Sequence, residues 1–287
     1  MKTLIKKIIP TTILTLTIGT ISFAGDTVPF FYNVLPEFDS NSIINSKNDV
    51  ISFDLWEDEE KVFVNGEEVQ ILDNHFVIDT YGLSGKQEFV ITNDKNENVI
   101  YTYYISDEDG FVADYEDEEI GNKDVYVTTY ESVKFIYTEK DARSVEKVIN
   151  LLDNMPTQMK ENLKEIKMVP SKTRGNVAGV TKYDSITFYG LSSYRSETFE
   201  NIVYHEVAHT WAYELIRTKV LDFNYSEYSN LAREDDNYVS NYSRKAIVRN
   251  DDYSEDFAES VAFYMIDSED FEINHPARAE FISSIID

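Results

Sequence analysis

The stretch Tyr204–Trp211 reads YHEVAHTW and holds two of the four histidines of this 287-residue chain. His205 and His209 are four residues apart, and on an α-helix such positions lie on one face, one turn apart. Val203 and Ala208 indicate that this helix is partly buried, where imidazoles without partners would be costly. The H-E-x-x-H spacing therefore predicts two ligands of a zinc ion.

A catalytic zinc site has three protein ligands and one open position, so a third ligand must come from elsewhere in the chain. The sequence contains no cysteine, which leaves His, Asp or Glu. Residues 210–220 contain no histidine. His275 precedes a proline at the start of a predicted terminal helix and suits a capping or loop role, and His75 is most simply a strand residue. The third ligand is therefore expected to be acidic.

The segment DDYSEDFAESVAFYM, residues 251–265, is the best source of that ligand. It reads as a helix on which Glu255 and Glu259 stand four apart beside two alanines, small enough to let the helix approach its neighbour. Carboxylates on a packed face need a cation or a donor. We expect Glu255 to bind the metal and Glu259 to accept a hydrogen bond from a ligating imidazole. The alternative is a solvated acidic face, and Asp256 is expected at the surface.

The N-terminal residues 1–24 are typical of a secretory signal peptide. Three lysines precede an uncharged, mostly apolar core, and Ser22-Phe23-Ala24 forms a small-x-small cleavage site. The apolar core is short for a membrane span and rich in threonine. We therefore expect cleavage after Ala24, secretion to the extracellular space, and no stable membrane anchor afterwards.

The remaining chain shows a change of pattern that predicts two domains. Residues 25–105 contain short apolar runs between turn residues, with a hairpin expected at Asn65-Gly66, and this pattern predicts an all-β immunoglobulin-like sandwich. Residues 106–124 are rich in acids and read as a linker. Residues 125–287 mix helices with strands and predict an α+β domain. The fold class is therefore multi-domain, with the histidines on the central helix of the second domain.

Charge limits the kinds of partner. The formal net charge is −27, from 53 acidic and 26 basic residues. Phosphate repulsion would oppose nucleic-acid binding, so none is expected. The chain is expected to be a monomer.

Three motifs together, HEVAH, then YVSNYS about 30 residues later, then EDFAES, resemble the gluzincin zinc metallopeptidases. The nearest resemblance is to the domain shared by anthrax-lethal-factor-like and Pro-Pro endopeptidases, and it covers about residues 120–287. It implies one zinc ion per chain on His205, His209 and Glu255, with Glu206 as general base. It also implies a tyrosine that stabilises the oxyanion, for which Tyr242 fits the motif best and Tyr253 is the alternative.

These features predict a secreted zinc-dependent endopeptidase that acts on proteins or peptides. A zinc-polarised water would attack the scissile carbonyl, with Glu206 taking its proton. The strand DSITFY, Asp184–Tyr189, is expected at the edge of a sheet, where an extended substrate could pair with it. Two alternatives remain, a toxin-like effector protease with one host target and a surface adhesion protein with an inactive peptidase domain.

Overall fold

The computed structural model describes nine stretches of the chain, namely residues 35–36, 42–45, 50–54, 61–69, 75–79, 83–92, 98–171, 177–219 and 223–286. The predicted signal peptide, residues 1–24, lies outside the described residues. The chain divides into two compact units, one ending at Val127 and the other beginning at Thr128. In the part of the chain that the structure describes, no helix is both long enough and apolar enough to span a membrane.

The first unit is built from strands. They are β1 (Leu35–Pro36), β2 (Ile43–Asn45), β3 (Val50–Asp54), β4 (Lys61–Val64), β5 (Glu67–Val69), β6 (His75–Asp79), β7 (Gly85–Thr92), β8 (Asn98–Ser106), β9 (Phe111–Asp117) and β10 (Gly121–Tyr130). One sheet has the order β1-β3-β6, and a second has the order β2-β8-β7-β4-β5. The β2–β8 pair is parallel and the other pairs of the second sheet are antiparallel. The immunoglobulin-like assignment stays a prediction.

The five-stranded sheet shows how its sequence pattern forms a core. Along β7, Gln87, Phe89 and Ile91 are buried while the residues between them are more exposed, as expected of a strand with one covered face. The predicted hairpin between β4 and β5 is confirmed. Asn65 and Gly66 have φ of 51° and 83°, and this pair of positive values is what a type I′ turn requires.

The acidic segment 106–124, predicted as a linker, instead contains β9 and the start of β10, which pair antiparallel. Tyr115 and Ile120 are buried within it. The acids occupy exposed positions and turns, where Asp117 accepts hydrogen bonds from the backbone N–H groups of Glu119 and Ile120. The acidic residues therefore belong to the exposed side and the turn of a hairpin, where the backbone N–H groups of the turn can satisfy a carboxylate.

The second unit combines a sheet with eight helices in its described residues. Its strands are β11 (Val133–Tyr137), β12 (Glu165–Val169), β13 (Gly179–Lys182) and β14 (Ser185–Tyr189), joined by the last three residues of β10. Its helices are α1 (Ala142–Asp153), α2 (Thr157–Lys160), α3 (Ser196–Thr218), α4 (Tyr225–Glu234), α5 (Asn241–Asn250), α6 (Ser254–Ile266), α7 (Ser268–Asn274) and α8 (Pro276–Ile286). The unit therefore has mixed helix and strand content, and its assignment as an α+β zincin-like domain stays a prediction.

The sheet of the second unit has the order β13-β14-β12-β11-β10. β12 pairs parallel with β11 and β14, whereas β13 pairs antiparallel with β14. The prediction that Asp184–Tyr189 is an edge strand is therefore wrong, because β14 lies between two neighbours. A turn at Tyr183, where φ is 50°, folds residues 179–189 into a hairpin and makes β13 the edge among the described strands.

Helices α3 and α6 pack against each other, and both contribute small residues to the core. Ala208 and Ala212 of α3 and Ala258 and Ala262 of α6 are all fully buried in one apolar core. Small side chains let two helix backbones approach closely, so polar side chains beside the alanines can meet across the interface. The approach that the alanines of α6 predicted from sequence is present.

Asp256 of α6 is buried, so the prediction that it lies at the surface is wrong. Its Oδ2 accepts a hydrogen bond from Nε of Arg278 at 2.9 Å, and Nη1 of the same arginine donates to Oδ2 of Asp235 at 2.9 Å. All three side chains are inaccessible to solvent. Removing one partner of such a cluster typically costs about 3–5 kcal/mol because a buried charge is left uncompensated. The cluster ties α8 to the helix that carries Glu255.

Candidate functional site

His205 and His209 point to the same side of α3. Their Nε2 atoms are 3.1 Å apart and their rings meet edge to face, with centroids 4.7 Å apart. The i, i+4 spacing on a helix predicted that the two imidazoles lie on one face, and this prediction is confirmed. His205 is buried and His209 is partly buried, so the two imidazoles do not lie on a fully exposed face of the helix.

Glu255 approaches the two imidazoles from the first turn of α6. Its Oε2 lies 3.2 Å from Nε2 of His205 and 3.4 Å from Nε2 of His209. This oxygen is buried and receives no hydrogen bond of good geometry. Within the described residues, these three side chains form the one group of acids and histidines whose atoms could hold a metal ion.

Glu259 lies one helical turn after Glu255 on α6. Its Oε1 is 3.1 Å from Nδ1 of His205, the nitrogen that faces away from the three-residue cluster. The contact is not aligned as a straight hydrogen bond, but the carboxylate is the acidic group beside that nitrogen. An acceptor on the far nitrogen of an imidazole fixes which nitrogen presents its lone pair to a ligand.

The site has a strongly negative environment. Burial alone lowers the pKa of an imidazole, but the carboxylates of Glu255 and Glu259 outweigh burial and raise the pKa of His205 to about 10. Burial would raise the pKa of a carboxyl group, yet the two imidazoles hold the pKa of Glu255 well below its usual range. Both shifts reflect the attraction between the Glu255 carboxylate and the imidazoles beside it, which favours the charged form of each group.

Glu206 follows His205 in α3 and is buried against β13. The hydroxyl of Thr181 donates a hydrogen bond to Oε2 of Glu206 at 2.8 Å. A Cβ atom added to Gly179 would lie only 2.5 Å from Oε1. Sequence reasoning missed both β13 residues, because the stretch NVAGVTKY reads only as a strand, and nothing local says which helix residue it meets.

The two candidate tyrosines have different surroundings. The ring of Tyr242, in α5, lies with its centroid 5.9 Å from that of His205, and the side chain is about half exposed. Burial, and the nearby carboxylates led by Glu255, raise the pKa of Tyr242 to about 12, which keeps its hydroxyl protonated at neutral pH. Tyr253 is instead buried in the apolar core, with the guanidinium of Arg233 over its ring.

The other two histidines lie apart from this cluster. His75 begins β6 in the first unit, as its predicted strand role requires. His275 directly precedes α8, and its backbone carbonyl accepts a hydrogen bond from the N–H of Ala279. Neither belongs to the group of side chains that could hold a metal ion.

Comparison with known proteins leaves the chain without a match. No family model matches it, and searches of curated proteins and of solved structures find no similar protein. Function must therefore be inferred from the side chains themselves.

Proposed function

We propose that this chain is a zinc-dependent endopeptidase of the gluzincin type, with one zinc ion held by His205, His209 and Glu255. The convergence of three ligand atoms from two helices carries the proposal. The substrate would be a protein or peptide, cleaved outside the cell if the predicted signal peptide directs secretion. The H-E-x-x-H spacing of the sequence adds to the proposal, because it puts Glu206 beside the first ligand.

The spacing of the donor atoms is compatible with a zinc ion. Atoms bound at 2.0–2.1 Å in a tetrahedral arrangement lie about 3.3 Å from one another. The three separations between the two Nε2 atoms and Oε2 are 3.1, 3.2 and 3.4 Å. Two imidazoles and a carboxylate are also a ligand set that leaves one tetrahedral position open, as a hydrolytic site requires. Without a cation, Oε2 would be a buried acceptor with no donor of good geometry.

The protein groups around the proposed metal divide the chemistry between them. Zinc at this point would supply a Lewis acid that polarises the peptide carbonyl and acidifies water. Glu206 would take a proton from the attacking water and pass it to the leaving amine. Tyr242 would donate a hydrogen bond to the oxygen that becomes negatively charged. Glu259 would keep His205 oriented through its Nδ1.

Replacement of Glu206 tests the proposal because it separates proton transfer from metal binding. In the full chain, Glu206→Gln should keep about one zinc ion per chain and lower peptide turnover by about 10²–10⁴-fold, the usual loss of a general base. Glu197→Gln is the matched control, since Glu197 is an exposed acid on the same helix. Metal analysis and peptide-library cleavage, with and without a chelator, give the two readouts.

A second variant tests the ligand set. His205→Ala should lose the zinc ion, because two remaining ligands bind weakly. Full zinc occupancy in His205→Ala, or parental turnover in Glu206→Gln, would overturn the proposal.

A further inference from the structure

Two residues of the edge strand β13, Gly179 and Thr181, lie against the side chain of Glu206. The Thr181 hydroxyl lies 2.8 Å from Oε2 and 3.1 Å from the backbone carbonyl oxygen of Glu206, so the shorter contact is to the carboxylate. On the other side, Gly179 leaves so little room that an added Cβ would lie 2.5 Å from Oε1 and Cγ and 2.6 Å from Cδ. The strand therefore restricts this side chain at two neighbouring positions.

The alternation of β13 puts these two residues on one side of the strand. Gly179 and Thr181 are partly buried, whereas Val180 and Lys182 are exposed. Successive residues of a strand face opposite sides, so Gly179 and Thr181 both face α3. The contacts to Glu206 follow from the register of the strand, in which Thr181 is opposite Ile186 of β14.

The glycine is required for space and not for backbone conformation. The φ angle of Gly179 is not positive, so an alanine could adopt its backbone angles. The three atoms nearest to an added Cβ all belong to the side chain of Glu206, which is flexible. An alanine at this position would therefore displace Glu206 and leave the strand in place.

We propose that Thr181 and Gly179 are positioning residues for Glu206, a role that rests on the proposed function. Thr181 holds one carboxylate oxygen through a charge-assisted hydrogen bond, which is stronger than a neutral one. Gly179 keeps clear the space that the carboxylate occupies. A glutamate has three side-chain torsions, and these two contacts select one arrangement for proton transfer. A small displacement of a reacting group can lower turnover by about 10²-fold.

Variants of β13 in the full zinc-loaded chain test this role. Thr181→Val keeps the branched shape but removes the hydroxyl, and should lower kcat about tenfold with KM and zinc content unchanged. Thr181→Ser restores the hydroxyl and should recover most of kcat. Gly179→Ala should lower kcat by about 10²-fold, again with zinc retained. Val180→Ala, on the exposed side of the same strand, is the control and should behave as the parent.

A double-mutant cycle separates positioning from general destabilisation. In a Glu206→Gln background, Thr181→Val should have almost no further effect on kcat, because the group that it positions has already been removed. In chelator-treated protein, the unfolding midpoints of the single and double variants should also be non-additive, and this readout does not depend on activity.

Two outcomes would overturn the positioning role. One is parental kcat in Thr181→Val when Glu206→Gln is inactive, and the other is full additivity of the two changes in both readouts. Parental turnover in Glu206→Gln is a different result, since it would overturn the peptidase proposal itself. The two failures are therefore distinguishable.

Discussion

At the residue scale, each side chain of the candidate site meets a partner in one of two ways. His205 and His209 are one turn apart on the same helix, whereas Glu255 reaches them from another helix. Glu255 and Glu259 each contact His205, at its two different nitrogens. The geometry thus distinguishes the two glutamates, although both are acids on one face of one helix. A glutamine at position 255 would remove an anionic donor atom, whereas one at position 259 would leave the donor set intact.

The two candidate tyrosines can be separated by single substitutions. Tyr242→Phe should retain zinc and lower turnover by about 10²–10³-fold, the loss expected when a donor to the oxyanion is removed. Tyr253→Phe should keep nearly parental turnover, since that ring packs in the core. Steady-state kinetics of both variants, with metal analysis, make the comparison. If Tyr253→Phe has strongly reduced turnover and Tyr242→Phe has parental turnover, the oxyanion role belongs to Tyr253.

At the element scale, α6 presents to α3 a face in which acids and alanines alternate. Glu255, Ala258, Glu259 and Ala262 recur at helical spacing, so we expect the alanines to set the distance at which the acids reach the imidazoles of α3. Asp256 of the same helix is held by Arg278 of α8. The helix is therefore fixed by two interactions that differ in kind, one with α3 and one with α8.

Enlarging one alanine of α6 should affect stability and metal binding together. Ala258→Leu inserts a large side chain into a filled core and should lower the free energy of unfolding by about 1–3 kcal/mol. It should also weaken zinc binding, because α6 must move away from α3. Urea denaturation and competition with a chelator measure the two effects. Phe263→Leu, at a partly exposed position of the same helix, is the control.

Weakened stability with unchanged zinc affinity in Ala258→Leu would show that Glu255 adjusts independently of the helix backbone. The spacing of α3 and α6 would then not control the site.

At the scale of the whole molecule, every residue of the candidate site belongs to the second unit. The unit boundary falls within β10, between Val127 and Thr128. None of these site residues lies in the first unit. The second unit has its own continuous apolar core, formed by its sheet and helices.

A fragment from Asn122 to Asp287 should therefore fold and hydrolyse peptides. It keeps most of β10 and all the elements that carry the site. Cooperative thermal unfolding and zinc content would establish that the fragment is folded, and its kcat/KM should lie near that of the full chain. A folded, zinc-loaded fragment without activity would show that the first unit is needed for hydrolysis.

Local spacing determined those features that the sequence predicted correctly. His205 and His209 face the same way because one helical turn relates residues four apart, whatever the rest of the chain does. Asn65-Gly66 predicted its hairpin because few residues accept positive φ at two successive positions. The lack of cysteine limited any third ligand to an acid or a histidine. In each case the physical constraint acts within one element or through composition alone.

Tertiary structure decided the features that depend on residues distant in sequence. Asp256 is buried because Arg278, 22 residues later, supplies its counter-charge. β13 rather than β14 is the edge strand because of a turn and a pairing register, and that register brings Thr181 to Glu206, 25 residues away. A polar residue that faces outward and one that meets a distant partner can have the same neighbours in sequence. Only packing distinguishes them, because burial and charge compensation arise where separate elements come together.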